Sequence, residues 1–172
     1  MIELPAVKRI IYTEKELQKR IRELARQISA DYKGRQLHLL AVLRGAVPFL
    51  ADLSKYMTLD VTFDFLSVSR HADTNHVSLI KDLDTAVQDR DIMLVEDIIN
   101  EGETVSYLLQ TLRLRAPKSI KICTLFDRPE AHKLKLEPDY VGFNLKERFV
   151  VGYGLDYKQY FRNLPYIAEL DL

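Results

Sequence analysis

A glutamate and an aspartate stand side by side at Glu96-Asp97, and after a short stretch come Gly102 and Thr104. An apolar run, an acidic pair, a loop with one glycine and then a helix beginning at a threonine form a layout suited to holding phosphate. The free N–H groups of a first helical turn point at an anion, and the Thr104 hydroxyl adds a donor. Adjacent carboxylates serve a different partner: they suit ribose hydroxyls or the oxygen shell of a Mg²⁺ ion. An isolated acidic pair at a strand end also reads as merely solvated. Two further places put charge where an apolar run stops, Arg44-Gly45 and Asp127-Arg128.

Any anion must be held locally in this way. Lys and Arg together number 25, and so do Asp and Glu, so the formal net charge is zero. Bulk attraction to nucleic acid or anionic lipid needs a basic excess, so those partners are excluded. Cys123 is the only cysteine, which rules out an internal disulfide, a thiolate zinc site and an Fe–S cluster built from this chain alone. Its setting, Ile120-Lys121-Ile122-Cys123-Thr124-Leu125, reads as a small core residue. No apolar stretch approaches the roughly 18 to 20 residues of a membrane span. The first residues lack a basic-then-apolar signal pattern, so a cytoplasmic location and no membrane partner are expected.

The elements that must position these residues follow from periodicity. With 172 residues, 47% of them apolar and 29% charged, one globular domain over residues 1–172 is expected. Thr13 and Glu16 make a capping box, and Leu17, Ile21, Leu24, Ala25 and Ile28 recur at helical spacing to about residue 31. The continuous apolar run 37–43 predicts a buried strand, and a helix follows over 48–56. Strands are predicted over 61–69, 77–80, 92–95 and 120–126. Val105, Leu108, Leu109 and Leu112 mark a helix that stops before Pro117. The tail from Tyr140 reads as short strands and loops, with a small accessory lobe. Strands alternating with helices predict βαβ units and an α/β fold with a central parallel sheet flanked by helices. In such sheets ligands sit outside the carboxyl ends of the strands, where all three charged positions fall.

The run Leu94-Val95-Glu96-Asp97-Ile98-Ile99-Asn100-Glu101-Gly102-Glu103-Thr104 closely resembles the phosphoribosyl pyrophosphate (PRPP) motif of type I phosphoribosyltransferases, in particular their hypoxanthine-guanine branch. Val42-Leu43-Arg44-Gly45-Ala46 is similar to that family's pyrophosphate loop. Lys81-Asp82-Leu83-Asp84 resembles the run after its mobile loop. Phe149-Val150-Val151-Gly152-Tyr153-Gly154-Leu155-Asp156-Tyr157 and Tyr160-Phe161-Arg162-Asn163-Leu164 resemble its purine pocket and C-terminal segment.

The resemblance implies the type I fold, with a small hood lobe from the N- and C-terminal segments. It also implies a reaction: a 6-oxopurine, hypoxanthine or guanine, displaces pyrophosphate from PRPP to give IMP or GMP. PRPP and phosphate would fall to Arg44, Gly45, Glu96, Asp97, Glu101, Gly102, Glu103, Thr104 and Arg162. The purine would fall to Ile98, Arg128, Phe149, Val150 and Asp156. Mg²⁺ would be held at Glu96 and Asp97, with a second ion near Asp156, and a homodimer or homotetramer is the expected assembly.

Departures from the pattern gather at the same place. Asn100 stands where the family has an Asp that accepts the purine N7 proton, a role an amide cannot fill at neutral pH. Arg128 replaces a Lys that donates to the 6-oxo group. Glu101 replaces a Thr or Ser, placing negative charge beside a phosphate dianion. The mobile loop, residues 69–76, lacks a Ser-Tyr pair and offers Ser69, Arg70, His71 and His76 instead. Losing a positioned base costs on the order of 10²- to 10⁴-fold in rate. A slow enzyme is therefore expected, and the alternative is a regulatory protein of the same fold that binds PRPP or nucleotide with little turnover.

Overall fold

The computed structural model describes residues 4–70, 77–146 and 149–171. The sheet begins with β2 (Leu37–Leu43), whose interior is wholly buried. Around it lie β3 (Val61–Arg70), β4 (Val77–Lys81), β5 (Asp91–Ile99), β6 (Ser119–Asp127) and β7 (Tyr140–Asn144), in the order β4-β3-β2-β5-β6-β7. Pairings β2·β3, β2·β5, β5·β6 and β6·β7 are parallel, as expected. Edge strand β4 pairs antiparallel with β3.

Strand pleating sends alternate residues to opposite faces, which splits the core in two. Leu39, Ala41, Met93, Val95, Cys123 and Leu125 face α1 (Glu14–Asp31) and α2 (Ala46–Tyr56). Leu40, Val42, Ile92, Leu94 and Ile122 face α3 (Glu103–Arg113) through Val105, Leu108 and Leu112. Helix α1 starts at the predicted capping box, where Thr13 N–H donates to Glu16 Oε2 at 2.8 Å and Glu16 N–H donates to Thr13 Oγ1 at 3.3 Å. Its stripe Leu17, Ile21, Leu24, Ala25 and Ile28 is buried as predicted. Burying each large aliphatic side chain of that stripe contributes about 2 kcal/mol, so Leu24→Ala is the kind of change that undocks it. Cys123 is buried, and desolvation pushes its thiol well above the usual range, as befits a core residue.

The tail differs from its expectation. Strand β7 joins the main sheet instead of an accessory lobe, and Arg20 of α1 donates to the Val141 and Gly142 carbonyls at 2.8 and 2.9 Å, satisfying part of that edge. The small lobe is built from both chain ends: β1 (Val7–Tyr12) pairs antiparallel with β9 (Ile167–Leu170), which pairs with β8 (Val150–Val151). Among the described residues no helix is long and apolar enough to cross a membrane.

Candidate active site

Parallel pairing brings the carboxyl ends of β2, β5 and β6 to one edge of the sheet. Strand β5 runs longer than its apolar stretch suggests, to Ile99, so Glu96 and Asp97 lie within the strand. Residues 100–102 then turn into α3, which begins at Glu103, one residue before the expected Thr104. Gly102 caps it with φ of +83°, in the left-handed region. A cavity of about 750 Å³ opens here, lined by Glu96, Asp97, Ile98, Asn100, Glu101, Gly102, Glu103, Thr104 and Arg128, with Val42, Ile99, Val105 and Ala131 completing it. It takes in the whole acidic-pair-to-threonine run, and Arg128 joins from the end of β6.

A second cavity of about 230 Å³ adjoins the first, sharing Asp97, Ile98 and Asn100 and adding Phe149, Val150, Leu155 and Asp156. The Phe149 ring is 39% exposed and meets Tyr157 edge-to-face at 5.6 Å, so it is a wall of this cavity and not a core aromatic.

Arg44, Gly45 and Arg162 line neither cavity. The Leu43–Arg44 peptide is cis. Gly45 presses so close to β5 that a Cβ on it would lie 1.5 Å from Asp97 Oδ2. Gly154, at φ of +99°, presses on Gly45 in turn: a Cβ there would lie 2.0 Å from the Gly45 carbonyl oxygen. Gln159 Oε1 accepts from both Arg44 Nη1 and Arg162 Nη2 at 3.0 Å. Arg162 also pairs with Asp156 at 2.6 Å and donates to the Gly154 carbonyl at 2.6 Å. The pyrophosphate-loop and C-terminal segments are thus one network, tied through Gln159, a residue to which the sequence attached no role.

The acids at the cavity floor carry unbalanced charge. Glu96 is 5% exposed, and burial, reinforced by the Asp97 charge, pushes its carboxyl well above the usual carboxylate range. Burial likewise pushes Asp97 up to about 6, although the Ile98 amide, 2.7 Å away, and Arg162 oppose it. Two desolvated carboxylates facing a cavity are suited to a divalent cation, which favours their ionised form. No three metal-binding side chains cluster among the described residues, so Glu96, Asp97 and Asp156 do not make a ready cage. A cation there would take the rest of its shell from ligand and water oxygens.

The expected clash at the phosphate loop is offset. Lys133 Nζ lies 2.9 Å from Glu101 and 3.6 Å from Glu103, and the Lys133 N–H donates to the Glu101 carbonyl at 3.0 Å. The turn Pro129–Ala131 after β6 folds this lysine back over the loop. His132 from the same segment donates through Nε2 to Asp127 at 2.8 Å, anchoring the turn to the strand end. Arg128 Nη1 donates to Asn100 Oδ1 at 3.1 Å, so two of the positions that depart from the family pattern touch each other. Neither Lys133 nor His132 stood out in the sequence, since only the turn brings them to the site. Lys81-Asp82-Leu83-Asp84 is a structural clamp: Lys81 Nζ donates to Phe65 O, and buried Asp64 accepts from the Asp84 and Thr85 amides at 2.8 and 2.9 Å. His71 and His76 of the loop lie outside the described residues.

The geometry has its counterpart in known proteins. The model of the phosphoribosyl transferase domain matches residues 9–158. The hypoxanthine-guanine phosphoribosyltransferase of Bacillus subtilis is 44% identical over 95% of this chain and 93% of its own length. The bifunctional protein TilS/HprT of Listeria innocua is also 44% identical over 95% of this chain, but the chain spans only 26% of that protein. The crystal structure of a hypoxanthine-guanine phosphoribosyltransferase from Bacillus anthracis, with HEPES in its active site, superposes with a TM-score of 0.94 at 39% identity, covering 96% of this chain and 99% of that one. The match to the domain model, this level of identity and the close superposition place the chain in the phosphoribosyltransferase family, in its hypoxanthine-guanine branch.

Proposed function

We propose that this chain transfers the 5-phosphoribosyl group from PRPP to hypoxanthine or guanine, forming IMP or GMP and pyrophosphate. The observation that carries the reading is the pair of adjoining cavities that share Asp97, Ile98 and Asn100. One is walled by a helix N-terminus and acids, the other by an aromatic ring. A phosphorylated sugar and a purine bound in them would meet at the shared residues, which is the in-line placement the transfer needs.

The residues then divide the work. The first-turn amides of α3 with the Thr104 hydroxyl hold the 5′-phosphate, with Gly102 giving the backbone its turn and Lys133 neutralising Glu101 and Glu103. Arg44 and the Gly45 amide take the diphosphate, steadied by Gln159 and Arg162. Phe149 stacks on the base, and Ile98 and the Val150 backbone bound its edges. Arg128 donates to the 6-oxo group, which favours a carbonyl over the amino group of adenine. Glu96 and Asp97 would hold a Mg²⁺ ion, and Asp156 would support a second one. Mg²⁺ bound there supplies charge neutralisation for the departing diphosphate.

Asn100 favours a second reading, a nucleotide-binding regulator with little turnover, because an amide takes no proton. The test incubates the chain with PRPP, Mg²⁺ and hypoxanthine, guanine, xanthine or adenine. Nucleotide formed from a 6-oxopurine supports the enzyme. Binding of IMP without turnover by the native chain, together with turnover restored in Asn100→Asp, supports the regulator. Loss of both binding and turnover overturns both readings.

A further inference from the structure

The contact between Arg128 and Asn100 fixes more than the position of two side chains. A guanidinium carries N–H donors and no acceptor, so it can meet an amide only through the amide oxygen. Arg128 Nη1 does so at 3.1 Å, which turns Asn100 Oδ1 toward Arg128 and Nδ2, a group with donors only, away from it. Asn100 lines both cavities, so it stands where a sugar in the larger one meets a base in the smaller. At that junction lies the imidazole half of a purine, with N9 forming the new bond and N7 on the same ring.

We propose that Asn100, oriented by Arg128, donates to purine N7, so that the site selects bases with a lone pair at N7 over bases protonated there. The inference rests on the phosphoribosyltransfer reading and names the form of the base that reading requires. A neutral base with N7–H sets donor against donor, and a buried donor left unpaired costs about 1–3 kcal/mol, or roughly five- to 150-fold in affinity. The azole anion has lone pairs at both nitrogens and escapes that cost. Its proton goes to bulk buffer before binding. The N9 lone pair then forms the bond to C1′, the bond from C1′ to the diphosphate oxygen breaks, and its electron pair leaves with pyrophosphate. No step asks Asn100 to take a proton. The nucleotide product also has a lone pair at N7, so the same contact favours it.

Two non-reacting probes separate the forms. In 9-deazahypoxanthine carbon replaces N9 and N7 keeps its proton, whereas IMP offers N7 only as an acceptor. Titration calorimetry on the full chain with Mg²⁺ and pyrophosphate for the first probe, and Mg²⁺ for the second, gives the ratio of affinities. Asn100→Asp is expected to bind 9-deazahypoxanthine about tenfold more tightly than the native chain and IMP about tenfold more weakly. Arg128→Ala releases the amide to rotate, so the native preference for IMP is expected to shrink with Asn100 unchanged. The ratio cancels the contact to the 6-oxo group, which both probes carry. Equal ratios in the native chain and Asn100→Asp overturn the inference while leaving phosphoribosyltransfer standing. Failure of the native chain to bind either probe overturns both.

Discussion

At the scale of single residues the site is held in a state the fold itself disfavours. Asp97 has an ordinary carboxyl value of 3.8 that burial pushes up to about 6, and Glu96 shifts the same way. Between those values the folded chain binds protons that the unfolded chain has released, so stability falls as pH rises through that window. Asp91 behaves oppositely: Arg35 and Ser119 hold it down to about 2, and its contribution is present above 3.8 and lost as pH falls toward 2. The two windows do not overlap. Asp97→Asn is therefore expected to raise the melting temperature at pH 7 by roughly 6–12 °C, corresponding to about 3 kcal/mol, and to flatten its dependence between pH 4 and 6. Thermal melts of both proteins across that range check this, and a native chain no less stable at pH 7 than at pH 5 contradicts it. The glycines beside this acid separate function from folding. Gly45→Ala drives a methyl against a side-chain oxygen that can swing away, so Mg²⁺·PRPP binding is expected to weaken more than tenfold with little loss of stability. Gly154→Ala meets a backbone oxygen at a left-handed φ and is expected to cost about 2 kcal/mol or more in a denaturant titration.

At the scale of elements, a short turn does the work of correcting a local charge problem. The turn Pro129–Ala131, with the residues flanking it, carries Arg128 to Asn100 and Lys133 to Glu101 and Glu103 at the start of α3. Lys133→Ala leaves those acids beside the phosphate position, so KM for PRPP is expected to rise about tenfold while kcat moves much less. Steady-state kinetics at fixed purine checks this, and an unchanged KM removes Lys133 from the phosphate site. This element also shows where sequence legibility ends. Strands β2 and β5, the capping box at Thr13 and the run from Glu96 to Thr104 are contiguous, so local pattern and spacing disclose them. Lys133 and Gln159 act on residues brought near by tertiary folding, and nothing in their neighbours marks them. Strand β1 escapes notice for a related reason: Val7 to Ile10 are exposed, so no buried alternation signals it, and its partner β9 lies at the other end of the chain.

At the scale of the whole molecule, a chain with no net charge sets Glu96, Asp97, Glu101, Glu103 and Arg128 around one cavity at the strand ends. The core on either face of the sheet fixes those strand ends, and the lobe formed by β1, β8 and β9 brings Phe149 and Asp156 across from the far end of the sequence. Ionised Glu96 and Asp97 destabilise the folded chain alone, and the same ionised forms are the ones a divalent cation binds. Ligand binding and protonation are therefore linked, because Mg²⁺·PRPP must compete with protons for Asp97. A ligand present at a hundred times its Kd stabilises the folded state by about 2.7 kcal/mol, which for a chain of this length is roughly 5–11 °C in melting temperature. That rise is expected in full at pH 7.5, where Asp97 with its value of about 6 is ionised, and to shrink at pH 5, where it is largely protonated. Asp97→Asn should lose the rise at both pH values while keeping its own higher baseline. Melting curves with and without Mg²⁺·PRPP at the two pH values decide the matter: a stabilisation as large at pH 5 as at pH 7.5 would separate the buried acid pair from metal and ribose binding.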